Sequence, residues 1–129
     1  MEGALKLKEI SYIHAEGYEA AELKHGPLAL LQANTPVLAI ITEQSGYEKM
    51  VSTVQEVLAR EAPVICMGTE GDSQLEMYSE LVIYLTRCPV YLSPLLNVVA
   101  MQLLAYEVAK AKGLNVDQPR NLAKSVTVE

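Results

Sequence analysis

The sequence has no tryptophan and no phenylalanine, and its aromatics are seven tyrosines. Half of the residues are nevertheless hydrophobic, enough to build a real core. Cysteine is scarce. Cys66 and Cys88 stand far apart, with no CxxC pair and no framework spacing, so no disulfide scaffold is indicated and a reducing cytoplasm is the natural compartment. Both lie among apolar neighbours and are expected to be buried free thiols. Positive charge is short as well. Ten lysines and arginines face sixteen acids, a net charge of -6, which argues against a nucleic-acid or anionic-membrane surface. No run is expected to reach the length of a membrane span, and no signal peptide is visible. There are no repeats and no low-complexity segment. The 129 residues amount to one domain or part of one.

What is present concentrates in the stretch Gly3 to Pro27, GALKLKEISYIHAEGYEAAELKHGP, which holds both histidines. At about 100° per residue, Glu2, Lys6 and Glu9 fall on one narrow helical stripe, spaced i, i+4 and i, i+3. Leu5, Ile10 and Ile13 flank it, and the solvent side is expected around Ala4, Lys8 and Ser11. Two carboxylates and an ammonium on an apolar side are costly unless paired or used. They form either a half-exposed salt-bridge ladder or an acid/base site. The helix is already running by Gly3 or Ala4 with nothing ahead of Met1 to cap it, which suggests a chain beginning inside a helix of a larger fold. His14, among Leu7, Ile10 and Ser11, reads as structural. A short strand is expected within Ser11 to Glu16. A short helix follows from Gly17 and is ended by Gly26-Pro27, with His25 at its terminus.

The middle of the chain alternates strand and helix. Val37 to Ile41 is an unbroken apolar run suited to a strand covered on both faces. Ser45 and Glu48 fit a capping box for a helix with Met50, Val51, Val54, Val57 and Leu58 on its apolar face. Pro63 to Met67 and Leu81 to Leu85 read as further strands, with a polar loop from Gly68 to Gln74. Strand, helix, strand in this order gives an α/β class with a parallel sheet. Ser93-Pro94 then opens a long helix from Leu95 to Lys112, stopped by Gly113, with Leu96, Val99, Ala100, Leu103 and Tyr106 as its core stripe. The last residues, 117–129, hold a turn cluster, one lysine (Lys124) and apolar Leu122, Val126 and Val128 that could dock.

The strings EGALKLKEISYIHAEGYEAAELKHGPLAL and DQPRNLAKSVTVE closely resemble the C-terminal isomerase part of the glutamine–fructose-6-phosphate aminotransferase family. The resemblance implies a sugar isomerase (SIS) domain, a three-layer αβα sandwich, of which residues 1–129 are the C-terminal portion of the second subdomain, with 117–129 as its catalytic tail. It implies that Lys124 forms a Schiff base with the ketone carbon of open-chain fructose 6-phosphate. It assigns Glu9 the proton shuttle between C1 and C2, and His25 a part in ring opening from a neighbouring subunit. Glu2 and Lys6 line the same site. No cofactor and no metal are implied. The partners implied are a sugar phosphate and a second copy of the chain, with no nucleic acid and no membrane. The glutaminase domain and the first SIS subdomain, with its hydroxyl-rich phosphate loop, are expected to be missing, as is the first strand of the second subdomain. The acids in Gly68-Thr-Glu-Gly-Asp-Ser73 would repel a phosphate. The chain alone is therefore expected to turn over poorly. The alternatives are a non-catalytic phosphosugar-binding module and a structural oligomerisation domain.

Overall fold

A computed structural model of the chain describes residues 1–42 and 46–122. They divide into two compact units, one within residues 18–94 and the other made of residues 1–17 with 95–122.

The first of these units is built on a three-stranded parallel sheet in the order β1-β2-β3, with β1 Val37–Ile41, β2 Val64–Thr69 and β3 Leu81–Leu85. Val37 lies opposite Val64, and Ile65 opposite Leu81. The apolar runs expected to be strands are strands, because a continuous aliphatic run can pair on both edges and bury its side chains. Burial is greatest in β2, the central strand, where Val64, Cys66 and Met67 are buried. In β1, Ile40 keeps an exposed side chain, so that strand is not covered on both faces throughout. The helix between β1 and β2 is Tyr47–Leu58, here α2 (α1 is the helix Glu2–Ser11). Gly46 in the left-handed region occupies the N-cap of α2, while Ser45, the expected cap, lies outside the described residues. Val54 and Val57 of α2 are buried, Met50 and Val51 pack against the core, and Leu58 is left exposed. Leu28, Ala39, Ile41, Ala62 and Leu75 complete that core. The link from β2 to β3 holds only a 3-10 helix, Ser73–Met77. Ser79 staples its end: its hydroxyl lies 2.6 Å from the Val64 carbonyl and 2.8 Å from that of Leu81, and the Leu81 N–H donates to it at 3.0 Å.

The second unit contains α1 and the helix Ser93–Ala111, α3, which enters it at Leu95. Glu2 in the first turn of α1 and Lys8 in the last suit the helix dipole. Gly3 and Ser11 are buried in α1, and Leu7 between them is half-buried, so the packed face is Gly3-Leu7-Ser11 at i, i+4, i+8. This corrects the expectation that Ser11 faces solvent. Its burial costs little because its hydroxyl donates to the Leu7 carbonyl at 2.6 Å and its own carbonyl accepts from Lys112 Nζ at 2.5 Å. A side chain at Gly3 would collide with Met101 of α3. Tyr12, at φ 56°, ends α1 in the left-handed conformation, and residues 12–16 form no strand, contrary to expectation.

Four further expectations fail in whole or in part. His14 is not packed on α1; it lies beyond the helix end with its side chain 83% exposed, 3.7 Å from Glu16. The stripe assigned to α3 is not its buried face: Val99, Leu103 and Tyr106 are 53%, 58% and 40% exposed. The fully buried positions are Ala105 and Ala109, spaced i, i+4, because α3 is apolar on most sides and its closest packing is made by its smallest residues. The 22-residue stretch Val90–Ala111 is also long and apolar enough to cross a membrane, so the expectation that no run reaches that length was too strict. Asn97, Gln102, Glu107 and Lys110 interrupt its apolar surface. Of the two thiols, Cys66 is buried but Cys88 only half so.

Candidate functional site

The charged stripe on α1 is formed as the spacing predicts. Lys6 Nζ lies 2.6 Å from Glu9 Oε2 and 3.6 Å from Glu2 Oε1. The three side chains are 39%, 30% and 25% exposed in the order Glu2, Lys6, Glu9, so the group is reachable by a small solute yet partly desolvated. The hydrogen bond that Lys6 donates to Glu9 is the main reason the Lys6 pKa is raised above that of a free lysine, with the charges of Glu9 and Glu2 adding to it. Lys6 therefore stays an ammonium at neutral pH and is no nucleophile there. What it can do is hold the Glu9 carboxylate in one orientation.

His25 closes the 3-10 helix Ala20–His25 and is exposed, followed by Gly26 at φ 149° and Pro27. The glycine is required there, since that backbone region is essentially closed to other residues. A 2.7 Å ion pair between Lys24 and Glu56 of α2 fastens this segment within its unit. Among the predicted residues the structure thus brings together Glu2, Lys6 and Glu9. It places His25 in the other compact unit. Lys124 lies outside the described residues.

At the C-terminal end of β2, where parallel sheets commonly bind ligands, the loop 68–74 is organised by its own acids. Asp72 Oδ1 accepts from the Gln74 N–H at 3.1 Å and starts the 3-10 helix, and the Tyr84 hydroxyl donates to Glu76 Oε1 at 3.1 Å. The Tyr47 hydroxyl and Asp72 Oδ2 are both buried, and the two side chains interact. Burial and the nearby Asp72 carboxylate push the Tyr47 phenol well above its ordinary pKa. A shallow depression of about 450 Å³, lined by Leu58, Met77, Ser79 and Leu81 among others, sits at the opposite, N-terminal ends of β2 and β3. Glu76, Tyr78 and Glu80 also line it, and none of the residues singled out from the sequence does. Among the described residues no cluster of metal-ligating side chains occurs.

The sequence reading missed one contact set. The ring of Tyr12 lies under the guanidinium of Arg120, 4.3 Å from carbon to ring centroid, and its hydroxyl accepts from the Arg120 backbone N–H at 2.7 Å. No local pattern announces a pairing across 108 residues.

The chain is 55% identical over all its 129 residues to a glutamine–fructose-6-phosphate aminotransferase (isomerizing) of Chlorobaculum tepidum. It is 56% identical over 128 residues to the enzyme of that name from Thermus thermophilus. In both cases it spans 21% of the relative's length, about a fifth. Among solved structures it is similar to the C-terminal domain of glucosamine-fructose-6-phosphate aminotransferase from Francisella tularensis. There the TM-score is 0.80 at 41% identity, over 90% of this chain and 33% of that one. A putative phosphosugar isomerase from Silicibacter pomeroyi shares the fold at 24% identity and TM-score 0.72, over 89% of this chain and 34% of that one. The likeness to the Francisella domain, together with the parallel sheet and its helices, gives the SIS-type αβα fold. The sequence model of the SIS domain matches residues 1–111, and the chain belongs to the SIS domain family.

Proposed function

We propose that the chain carries the sugar-isomerising centre of an isomerizing glutamine–fructose-6-phosphate aminotransferase. One observation carries the reading: Lys6 bridges Glu9 and Glu2 on a helix that falls within full-length similarity to enzymes of that name. In this reading Lys124 attacks the ketone carbon of open-chain fructose 6-phosphate, and water leaves as the iminium forms. Ammonia, supplied from outside these residues, displaces Lys124 from the ketone carbon to give the sugar imine and free the lysine. The imine acidifies the neighbouring carbon, C1. Glu9, held by Lys6, then removes a proton from C1, and protonation of C2 gives the 2-amino aldose phosphate. His25, supplied by a second copy of the chain, exchanges protons with the ring oxygen and hydroxyls during opening. Glu2 fixes the other side of Lys6. No cofactor takes part, and the natural compartment is the cytoplasm.

The test is a graft. The 129 residues replace the corresponding region of the Chlorobaculum tepidum relative. The graft is treated with fructose 6-phosphate and borohydride, and the modified residue is mapped. Reduction onto Lys124, abolished by Lys124→Ala, supports the reading. Sugar binding that is unchanged by Lys124→Ala points instead to a non-catalytic phosphosugar module, and no binding at all to a structural role.

A further inference from the structure

We propose that residues 70–77 form a lid over the carboxyl end of β2, latched through Asp72, and that this lid opens by itself while the rest of its compact unit stays folded.

Every group that holds the segment lies within residues 18–94. The first tie is a plug. Leu75, in the 3-10 helix Ser73–Met77, is fully buried although residues 73, 74, 76 and 77 around it are exposed. It fits because Gly68 of β2 has no side chain: a Cβ there would collide with Leu75 Cδ1. Cys66 and Gly68 lie two residues apart on one strand, so they share a face, and Leu75 covers it. The second tie runs to α2. Asp72 Oδ2 and the hydroxyl of Tyr47, the first residue of that helix, are buried and their side chains interact. The third runs to β3, where the Tyr84 hydroxyl lies 3.3 Å from the Asp72 carbonyl oxygen and 3.1 Å from Glu76 Oε1. Asp72 also orders the segment itself. Its Oδ1 accepts from the Gln74 N–H at 3.1 Å, and its own N–H donates to the Thr69 carbonyl at 3.2 Å. One residue thus joins the segment to a helix, to the neighbouring strand and to its own turn.

Little else holds residues 70–77. Gly71 turns the chain at φ 92°, and a 3-10 helix has poorer hydrogen bonds than an α-helix. Leu75 is the only fully buried side chain of the segment. Releasing one apolar side chain and a few hydrogen bonds costs far less than unfolding the sheet with α2, and segments of this kind open below the global free energy. Opening lifts Leu75 off Gly68 and uncovers the Cys66 thiol. It also bares the end of the sheet at which open parallel sheets take their ligands. The lid therefore controls access to that end, and Cys66 reports its position.

Labelling of Cys66 in the whole chain with a small methanethiosulfonate, mapped by peptide, tests this together with hydrogen exchange. The Tyr78 N–H, bonded to the Leu75 carbonyl at 3.1 Å, reports the lid, and the Val54 N–H, inside α2, reports unfolding of the unit. In the unsubstituted chain the Tyr78 amide is expected to be at least about tenfold less protected than that of Val54. Its exchange and the Cys66 labelling should rise only weakly with urea, as openings that expose little surface do. Tyr47→Phe keeps the packed ring and removes the hydroxyl, and should speed Cys66 labelling about tenfold. Tyr84→Phe removes the tie to β3 and should speed it about threefold. Unchanged labelling and unchanged Tyr78 exchange in both variants overturn the latch. A urea dependence as steep as that of Val54 means that the segment opens only with the whole unit, and overturns the lid. The unsubstituted chain decides the lid, and Tyr84→Phe the latch, even where Tyr47→Phe does not fold.

Discussion

Lys6 is the residue on which the α1 constellation turns, and its neighbours can be separated by role. In the proposed chemistry, iminium formation needs Lys124 but not Glu9, whereas moving a proton between the sugar carbons needs Glu9. Glu9→Gln in the graft is expected to leave borohydride trapping in place while solvent deuterium incorporation at C1 and C2 falls about 10²- to 10⁴-fold. Equal loss of both signals would remove Glu9 from the proton-transfer role. Lys6 makes a separate prediction about pH. Its folded pKa lies above the unfolded value, so its pairing contributes stability in full below an unfolded pKa of about 10.4. That contribution is lost as pH rises through the folded value. Urea melts of the chain and of Lys6→Met should converge in that alkaline window. Their difference at neutral pH should be at most about 1 kcal/mol, as for other solvent-accessible pairs. A steric prediction concerns Gly68 in β2. A Cβ there would collide with Leu75 Cδ1 and stand 2.7 Å from the Ile41 carbonyl oxygen, which belongs to the backbone of the neighbouring strand and cannot swing away. Gly68→Ala should therefore cost about 2 kcal/mol or more in urea unfolding.

Strands β1 and β3 show why some elements could be read in advance and others not. Leu81–Leu85 is a strand over the residues expected, and β1 likewise, since a contiguous aliphatic run between turn residues has few alternatives to a buried parallel strand. The Glu2-Lys6-Glu9 stripe was legible for a similar reason: it depends only on spacing along one helix. Other features depend on partners distant in sequence. Ser11 looks like a surface residue until the Lys112 amine arrives to satisfy its carbonyl. The buried line of α3 runs through Ala105 and Ala109 rather than its larger side chains, a choice no periodicity could make in a helix apolar on most sides. Tyr12 and Arg120 are joined across most of the chain. The central strand also yields a chemical test. Cys66 is fully buried in β2 and its thiol is pushed up by that burial, while Cys88 is half-exposed. A thiol reagent should label Cys88 at least about 100-fold faster than Cys66, and both equally in denaturant. Similar native rates would mean that β2 opens readily.

For the molecule as a whole, the apolar surface of α3 sets the last expectation. Leu95, Val99, Leu103 and Tyr106 remain exposed along one helix. Contiguous apolar surface of this kind is uncommon on a protein that works alone. The length and composition of Val90–Ala111 also satisfy a membrane span, so lipid competes as cover with a second copy and with the further length that the relatives carry. The chain's net charge of -6 disfavours an anionic bilayer surface, and the proposed use of His25 from a neighbouring copy requires self-association. Light scattering of the chain should therefore give a dimer or larger species. The double substitution Val99→Lys with Leu103→Lys should shift it toward monomer at equal concentration, without loss of helical circular dichroism. Flotation with neutral lipid vesicles is the opposing measurement. A monomer that floats with the vesicles would assign the α3 face to lipid, and a monomer that stays in solution would leave His25 unable to reach the site of a second copy. Either outcome removes His25 from the ring-opening step while leaving the roles of Glu9 and Lys124 to their own tests.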